Sequence, residues 1–138
     1  MELSNITKEK LKNLGVAVVY LFGSRVDGTA SERSDYDVGV VFFNSERVFA
    51  EDPHLFTSVY DILSDDLPDQ LNGVKMDISF LQKANAALEV SAVNNGAILF
   101  NADPVFKANY EEAVVKRYDD YLPLKRKYEE VTFSAFTK

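Results

Sequence analysis

Short apolar segments alternate with polar, glycine-containing segments along the first half of the chain. Val16 to Phe22 is wholly apolar and rich in β-branched residues, a pattern typical of a buried strand. The polar and apolar residues from Lys8 to Leu14 predict a short helix that ends at Gly15. After a polar loop, the apolar pattern resumes from Tyr36 to Phe43 and predicts a second strand.

The second half predicts two more strands and three helices. A helix is expected from Pro53 to Leu67, with Leu55, Val59, Ile62 and Leu63 on one face and Pro68 ending it. The segment Lys75 to Leu81 alternates, so that Met76, Ile78 and Phe80 point one way and Asp77 and Ser79 the other. The remaining elements are a helix from Asn85 to Asn94 capped by Gly96, and a strand in Ala97 to Phe100. A long helix follows, capped by Asp103 with Pro104 in its first turn, and runs to about Tyr128 with a kink or break at Pro123.

This order of elements predicts an α/β (α+β) fold, in which a small mixed β-sheet packs against helices. The 138 residues fit a single domain, and 46% of them are apolar, which is enough to form a core. Neither a repeat nor a linker-like composition suggests a second boundary, so we expect one domain spanning 1–138.

Composition and charge narrow the class of function. The longest apolar run is too short for a signal sequence or a membrane span, and the chain has no cysteine, so we expect a cytoplasmic protein without a membrane partner. A net charge of -7 argues against direct nucleic-acid binding, because phosphates would be repelled. The acidic balance suits a metal site or a basic partner.

Two aspartates stand one residue apart at the start of the second predicted strand. Residues i and i+2 of a strand project from the same face about 7 Å apart, so Asp35 and Asp37 could reach shared cations. Asp77 holds the corresponding place on the polar side of the third strand. Carboxylates gathered in this way suit Mg²⁺, which leaves places open for substrate phosphates, and three of them make a two-metal site plausible.

The loop before these aspartates contains a candidate phosphate-binding turn. Gly23 and Ser24 directly follow the first strand, where a glycine lets backbone N–H groups approach an anion and the serine hydroxyl adds a donor. Arg25 could neutralise charge on a leaving pyrophosphate. A phosphate-binding turn facing metal-binding carboxylates supports attack of a hydroxyl on the α-phosphorus of a nucleoside triphosphate, with Asp77 placed to help take the proton.

The spacing of these residues resembles the signature of the DNA polymerase β-type nucleotidyltransferases. That signature is a Gly-Ser pair, here Gly23-Ser24, followed after ten residues by Asp35-Tyr36-Asp37 and by an aspartate in a later strand. Within that superfamily, the chain is similar to the minimal nucleotidyltransferase (MNT) antitoxins, which are partners of HEPN-domain toxin ribonucleases. The similarity lies in its short length and in the segments FGSRVDGTASERSDYDVGVVF, MDISFL and NNGAILFNADPVFKANYEEAVVKRYDDY. The likeness extends from Val16 to Lys127 and is weak between Asn44 and Gln70.

The resemblance implies both a mechanism and a partner. It implies that Gly23 and Ser24 bind the phosphates of ATP, and that Asp35, Asp37 and Asp77 form a Mg²⁺-binding catalytic triad. It also implies transfer of AMP to a tyrosine hydroxyl of a HEPN toxin, which silences the toxin's RNase activity in a hetero-oligomeric pair. The core would be polymerase β-like and would carry a long C-terminal helix.

Two other functions stay open on the sequence. One is the same chemistry on a small molecule such as an aminoglycoside, although the extra domain expected for such an enzyme is not apparent. The other is a non-catalytic antitoxin that blocks its partner by binding, although a pure binder has no need for three mutually repelling carboxylates.

A basic segment near the C-terminus has two interpretations. In KRYDDYLPLKRKYEE, five cations stand among tyrosines in an otherwise acidic chain. They form either a solvated helix face with i,i+4 pairs or a docking surface for the toxin or for RNA.

Overall fold

The computed structural model describes residues 2–23, 36–67 and 76–136, with side chains described as far as residue 130. Within these ranges the chain forms four strands, five α-helices and one 3₁₀ turn, Leu81–Lys83. In chain order the elements are α1 (Asn5–Leu14), β1 (Val16–Phe22), β2 (Tyr36–Phe42), α2 (Ser45–Phe49), α3 (Pro53–Ser64), β3 (Met76–Phe80), α4 (Ala86–Asn95), β4 (Ala97–Asn101) and α5 (Pro104–Phe136). No helix in the described part of the chain is long and apolar enough to cross a membrane.

The four strands form one mixed sheet in the order β3-β2-β1-β4. Strand β1 runs antiparallel to both β2 and β4, whereas β2 and β3 run parallel. Strand β1 is buried along its whole length, as its continuous apolar pattern predicts. The predicted class, a small mixed sheet packed with helices, is therefore confirmed.

Helices cover both faces of the sheet. Helices α1 and α3 pack on one face, where their leucines meet inward residues of β1 and β2 such as Val19 and Val38. Helix α4 and the start of α5 cover the opposite face, around Val18, Tyr20 and Val41. A bulge between Val16 and Val18 shifts the register of β1 with β2 near the start of β1.

The ends of several elements follow the sequence signals. Gly15 ends α1 in the left-handed conformation, with φ 92°, and its N–H donates to the carbonyls of Leu11 and Lys12. Asn85 caps α4 through a hydrogen bond from Leu88 N–H. Asp103 accepts hydrogen bonds from the N–H groups of Val105 and Phe106 at the start of α5.

Other boundaries were wrong. Helix α3 ends at Ser64, three residues before Leu67, and Pro68 lies outside the described residues. Strands β2 and β3 are shorter than predicted, because Phe43 leaves the sheet and Leu81 begins the 3₁₀ turn. Gly96 does follow α4, but in an extended conformation and not as a left-handed cap.

Two differences concern whole helices. The short helix α2 lies in the segment where the family resemblance is weak, and its signal is Asn44, whose side chain accepts a hydrogen bond from Glu46 N–H. Helix α5 continues without a break through Pro123 to Phe136, so the predicted end near Tyr128 was wrong. Pro123 removes one N–H, but the turns on either side maintain the helix.

One buried and one partly buried tyrosine join α5 to the rest of the protein. Tyr20, fully buried in β1, donates to Glu111 Oε1 at 2.9 Å, and Lys107 contacts the same oxygen at 2.7 Å. Tyr110 donates to Glu89 Oε2 of α4 at 2.7 Å, and Arg117 lies 3.4 Å from the other carboxylate oxygen. Both carboxylates are thus partnered, so the packed half of α5 is held by hydrogen bonds as well as apolar contact.

These two tyrosines predict a loss of stability at alkaline pH. Burial first, and then the hydrogen bond to a glutamate, raise the pKa of the Tyr20 and Tyr110 hydroxyls far above their usual value. Above the unfolded-state pKa of about 10 the unfolded chain loses these protons while the folded chain keeps them. By about pH 11 this difference lowers the free energy of unfolding by about 1.4 kcal/mol per tyrosine.

Urea unfolding of the wild type and of the Tyr20→Phe/Tyr110→Phe variant, at neutral and at alkaline pH, checks this expectation. The variant should lose less stability between the two conditions than the wild type does. Tyr128→Phe, a change at an exposed tyrosine, is the matched control and should behave as the wild type. Equal losses in all three proteins would contradict the assignment.

Candidate active site

The predicted site lies at one edge of the sheet. Strand β1 ends there at Phe22, and because β2 is antiparallel to β1 and parallel to β3, both β2 and β3 begin there. Phe22 pairs with Asp37 across the β1–β2 register. The end of the first strand and the starts of the next two therefore meet at the same place.

Asp37 and Asp77 are direct register partners on the neighbouring parallel strands β2 and β3. Partners in register point to the same side of a sheet, and adjacent strands are about 4.8 Å apart. Asp77 is exposed and Asp37 is partly exposed, whereas Met76 and Val38 beside them are buried. The sequence prediction that Asp77 stands beside Asp37 on the polar side of β3 is thus confirmed.

Gly23 places the start of the loop directly against Asp37. Its backbone is left-handed, with φ 78°, a conformation that costs a residue with a side chain about 1–2 kcal/mol. A Cβ atom at position 23 would collide with Asp37 Oδ2 and would stand 3.1 Å from Asp37 Cγ. Only glycine lets the backbone pass so close to this carboxylate.

Gly39 lies on the same sheet face as Asp37 and has a packing role. A Cβ atom there would stand 2.8 Å from Leu81 Cδ1, the first residue of the 3₁₀ turn after β3. The missing side chain therefore lets Leu81, which is fully buried, close the apolar cluster beneath the site.

The remaining predicted site residues, Ser24, Arg25 and Asp35, lie outside the described residues. Among the residues that are described, no group of three or more histidine, cysteine, aspartate or glutamate side chains gathers as a metal site. The predicted triad includes Asp35, which is not among the described residues, so the complete triad could not be found in this search. Asp37 and Asp77 supply the hard oxygen donors that Mg²⁺ prefers, and their pairing fits such an ion.

Sequence reasoning missed the carboxylates at Glu89 and Glu111, which accept hydrogen bonds from Tyr110 and Tyr20. Their partners lie 21 and 91 residues away along the chain, so no local pattern could reveal them. A glutamate that is only 8% exposed marks a contact made by tertiary packing.

A glycine turn facing two aspartates in register, on a small mixed sheet covered by helices, is an arrangement suited to transferring a phosphorus-containing group. Residues 4–105 match the family described as polymerase beta, nucleotidyltransferase, and the chain belongs to this family. No curated protein matches the sequence.

Three solved structures illustrate the shared fold. A chain of a toxin-antitoxin crystal structure with AMP-PNP is 18% identical, with a TM-score of 0.67 over 94% of this chain and 99% of that one. A chain of the MntA-HepT toxin-antitoxin is 15% identical, with a TM-score of 0.59 over 94% and 99%. A chain of the tri-AMPylated Shewanella oneidensis HEPN toxin in complex with MNT antitoxin is 14% identical, with a TM-score of 0.60 over 95% and 99%.

Proposed function

We propose that this nucleotidyltransferase is an antitoxin that transfers AMP from ATP to a tyrosine hydroxyl of a HEPN-type toxin in the cytoplasm and so silences the toxin's RNase activity. The observation that carries the proposal is the pairing of Asp37 with Asp77 beside Gly23. Its support from other proteins is the likeness in fold to chains of toxin-antitoxin complexes, one with AMP-PNP and one with an AMPylated toxin.

In this proposal each residue at the sheet edge has a separate role. The backbone at Gly23 and the Ser24 hydroxyl hold the β- and γ-phosphates, and Arg25 balances the charge on the departing pyrophosphate. Asp35, Asp37 and Asp77 hold Mg²⁺, at two positions when all three carboxylates take part. Mg²⁺ bound there would polarise the α-phosphoryl group and neutralise the phosphates.

The transfer balances as a single in-line displacement. The acceptor oxygen forms a bond to the α-phosphorus, and the bond from that phosphorus to the bridging oxygen of pyrophosphate breaks. The electron pair of the broken bond leaves with pyrophosphate. Asp77, the most exposed carboxylate described at the edge, takes the proton of the acceptor hydroxyl.

Intact-mass spectrometry of the HEPN-type protein encoded beside this one, incubated with the antitoxin, ATP and Mg²⁺, tests the proposal. The expected result is a gain of one or more AMP units on the toxin and loss of its RNase activity. No mass change within a stable complex would replace transfer by inhibition through binding. No mass change and no complex would overturn the toxin partner and direct the search to small hydroxylated acceptors.

Asp77→Asn is expected to slow transfer at least about a hundredfold, because the substitution removes both a metal ligand and the proton acceptor. Single-turnover measurement of AMP incorporation at saturating ATP checks the value. Ser79→Ala, two residues further on the same face of β3, is the matched control and should stay near the wild-type rate. A rate for Asp77→Asn within a few-fold of wild type would give Asp77 a structural role only.

A further inference from the structure

The second half of α5 carries an apolar stripe that no described part of the protein covers. Tyr121, Leu124 and Tyr128 are 42%, 69% and 74% exposed, and their spacings of three and four residues place them on one helix face. The same face is packed on the body earlier in the helix, where Val114 is only 1% exposed. The stripe is therefore the continuation of a packing face beyond the part of the helix that the body covers.

Helix α5 runs along the sheet towards the candidate site. Near its start, the ring of Phe106 packs on that of Phe43, with centroids 4.9 Å apart, at the edge of the sheet where β2 ends. More than one turn later, Glu111 accepts a hydrogen bond from Tyr20, close to the end of β1 at the site edge. The helix continues in this direction, and residues 121–136 span about 22 Å at about 1.5 Å per residue. Its exposed half therefore extends past the edge of the sheet that carries the site.

The paired carboxylates point to the side of the sheet on which α5 lies. Side chains alternate along a strand, and Val38 and Val40 of β2 pack in the cluster covered by α1 and α3. Asp37 and Val41 point the other way, and Val41 packs in the cluster covered by α4 and α5. Asp77, the register partner of Asp37, shares that side. An acceptor hydroxyl that approaches these carboxylates thus enters the space between the site edge and the exposed half of α5.

A protein acceptor needs more contact than its tyrosine can provide. Stable interfaces between proteins bury about 1,200–2,000 Å² in total, far more than one side chain at the sheet edge contributes. The stripe is an exposed apolar surface on the helix that flanks this space. It can supply the additional contact without covering the carboxylates.

The charge of the exposed half indicates the character of the partner surface. Residues 121–128 include Lys125, Arg126 and Lys127 and no carboxylate, whereas the whole chain has a net charge of -7. The ion pairs among the described residues involve none of these three cations. An apolar stripe beside unpaired cations is complementary to a surface with an apolar centre and an acidic rim.

We propose that the stripe Tyr121–Leu124–Tyr128 is the docking surface for the protein that accepts AMP. The acceptor packs an apolar patch with an acidic rim against α5 and so presents its tyrosine to Asp37 and Asp77. This inference rests on the proposed function and specifies where the antitoxin holds the HEPN-type toxin. The stripe binds and orients the acceptor and takes no part in the chemical step.

Binding and transfer, measured separately, test the docking surface. Titration of the full chain with the HEPN-type protein encoded beside it, without ATP, gives the Kd of the complex. Steady-state AMP incorporation over a range of toxin concentrations gives kcat and the KM for the toxin. Leu124→Glu and Tyr128→Ala should each raise Kd and KM at least about tenfold, because they remove apolar contacts of the interface. The kcat should stay within about twofold of wild type.

Val105→Glu is the matched control. Val105 is 70% exposed, nearly as Leu124 is, and its variant adds the same charge to the same helix, but at the edge of the sheet opposite the site. This variant should bind and react as wild type. Because all three positions are exposed or partly packed only by water, melting temperatures should match the wild type and show that the fold is retained.

The two measurements separate docking from transfer. Unchanged Kd and KM in Leu124→Glu and Tyr128→Ala would overturn the docking surface, as would an equal loss of binding in Val105→Glu or a fall in kcat at unchanged KM. A wild-type protein that forms no complex with the toxin would also overturn it. A complex weakened by Leu124→Glu and kept in Val105→Glu, without AMP transfer by the wild type, would uphold the docking surface and overturn the proposed transfer.

Discussion

Replacing Asp35 and Asp37 by asparagine is expected to lower AMP transfer more than about a hundredfold while the fold is retained. Asp37 is register-paired with Asp77 at the edge of the sheet where β1 ends, and asparagine keeps the size of the side chain while removing the charge that holds Mg²⁺. Wild type should also gain thermal stability on addition of Mg²⁺, because a ligand that binds only the folded state stabilises it, and the variant should not.

The matched control is Asp61→Asn/Asp119→Asn, which removes two exposed helix carboxylates away from the sheet edge. AMP incorporation and melting temperature, with and without Mg²⁺, are measured for all three proteins. The control should follow the wild type in both. An active Asp35→Asn/Asp37→Asn protein would refute the metal assignment, and a control as inactive as the variant would show that net charge alone matters.

Gly23→Ala is the second change with a large expected effect. The alanine Cβ would collide with Asp37 Oδ2, and the left-handed backbone adds about 1–2 kcal/mol of strain, so either the loop or the carboxylate must move. Either movement displaces a group that holds the phosphates or Mg²⁺. The rate of AMP transfer is therefore expected to fall about a hundredfold.

The Gly15→Ala variant is the matched control, because it introduces the same left-handed backbone strain at a position away from the candidate site. Gly15 is also left-handed, with φ 92°, and a Cβ atom there would meet only Arg47 Nη1, the far end of a flexible side chain. Both variants should lose about 1–2 kcal/mol of stability in urea unfolding, but only Gly23→Ala should lose transfer activity. Equal activity in the two variants would show that the approach of Gly23 to Asp37 has no role in the reaction.

The strands and most helices could be predicted because their signals are local. Strand β1 matches its apolar run from Val16 to Phe22 at both ends, and Gly15 ends α1 as its lack of a side chain allows. The predicted ends of α3 and α5 were wrong, since tertiary packing and not propensity decides where a helix stops. The sequence did not predict helix α2, because a single capping asparagine is a weak signal.

Part of the candidate site could likewise be predicted from the sequence, and part could not. Spacing along the chain placed Asp37 on the polar face of a strand start and singled out Asp77 as its companion. The sequence could not show that the two are register partners, because their pairing depends on β2 and β3 lying side by side although helices α2 and α3 separate them along the chain. The roles of Ser24, Arg25 and Asp35 stay predictions.

By itself the sequence determined which residues form the strands, which carboxylates stand at their starts and which family the glycine, serine and aspartates resemble, because these follow from periodicity and spacing along the chain. Only the tertiary structure decided that Gly23 closely approaches Asp37, that Tyr20 and Tyr110 donate their hydroxyls to Glu111 and Glu89, and that half of α5 extends beyond the core. Those contacts join residues far apart in sequence, and their energies depend on burial that exists only once the sheet has formed.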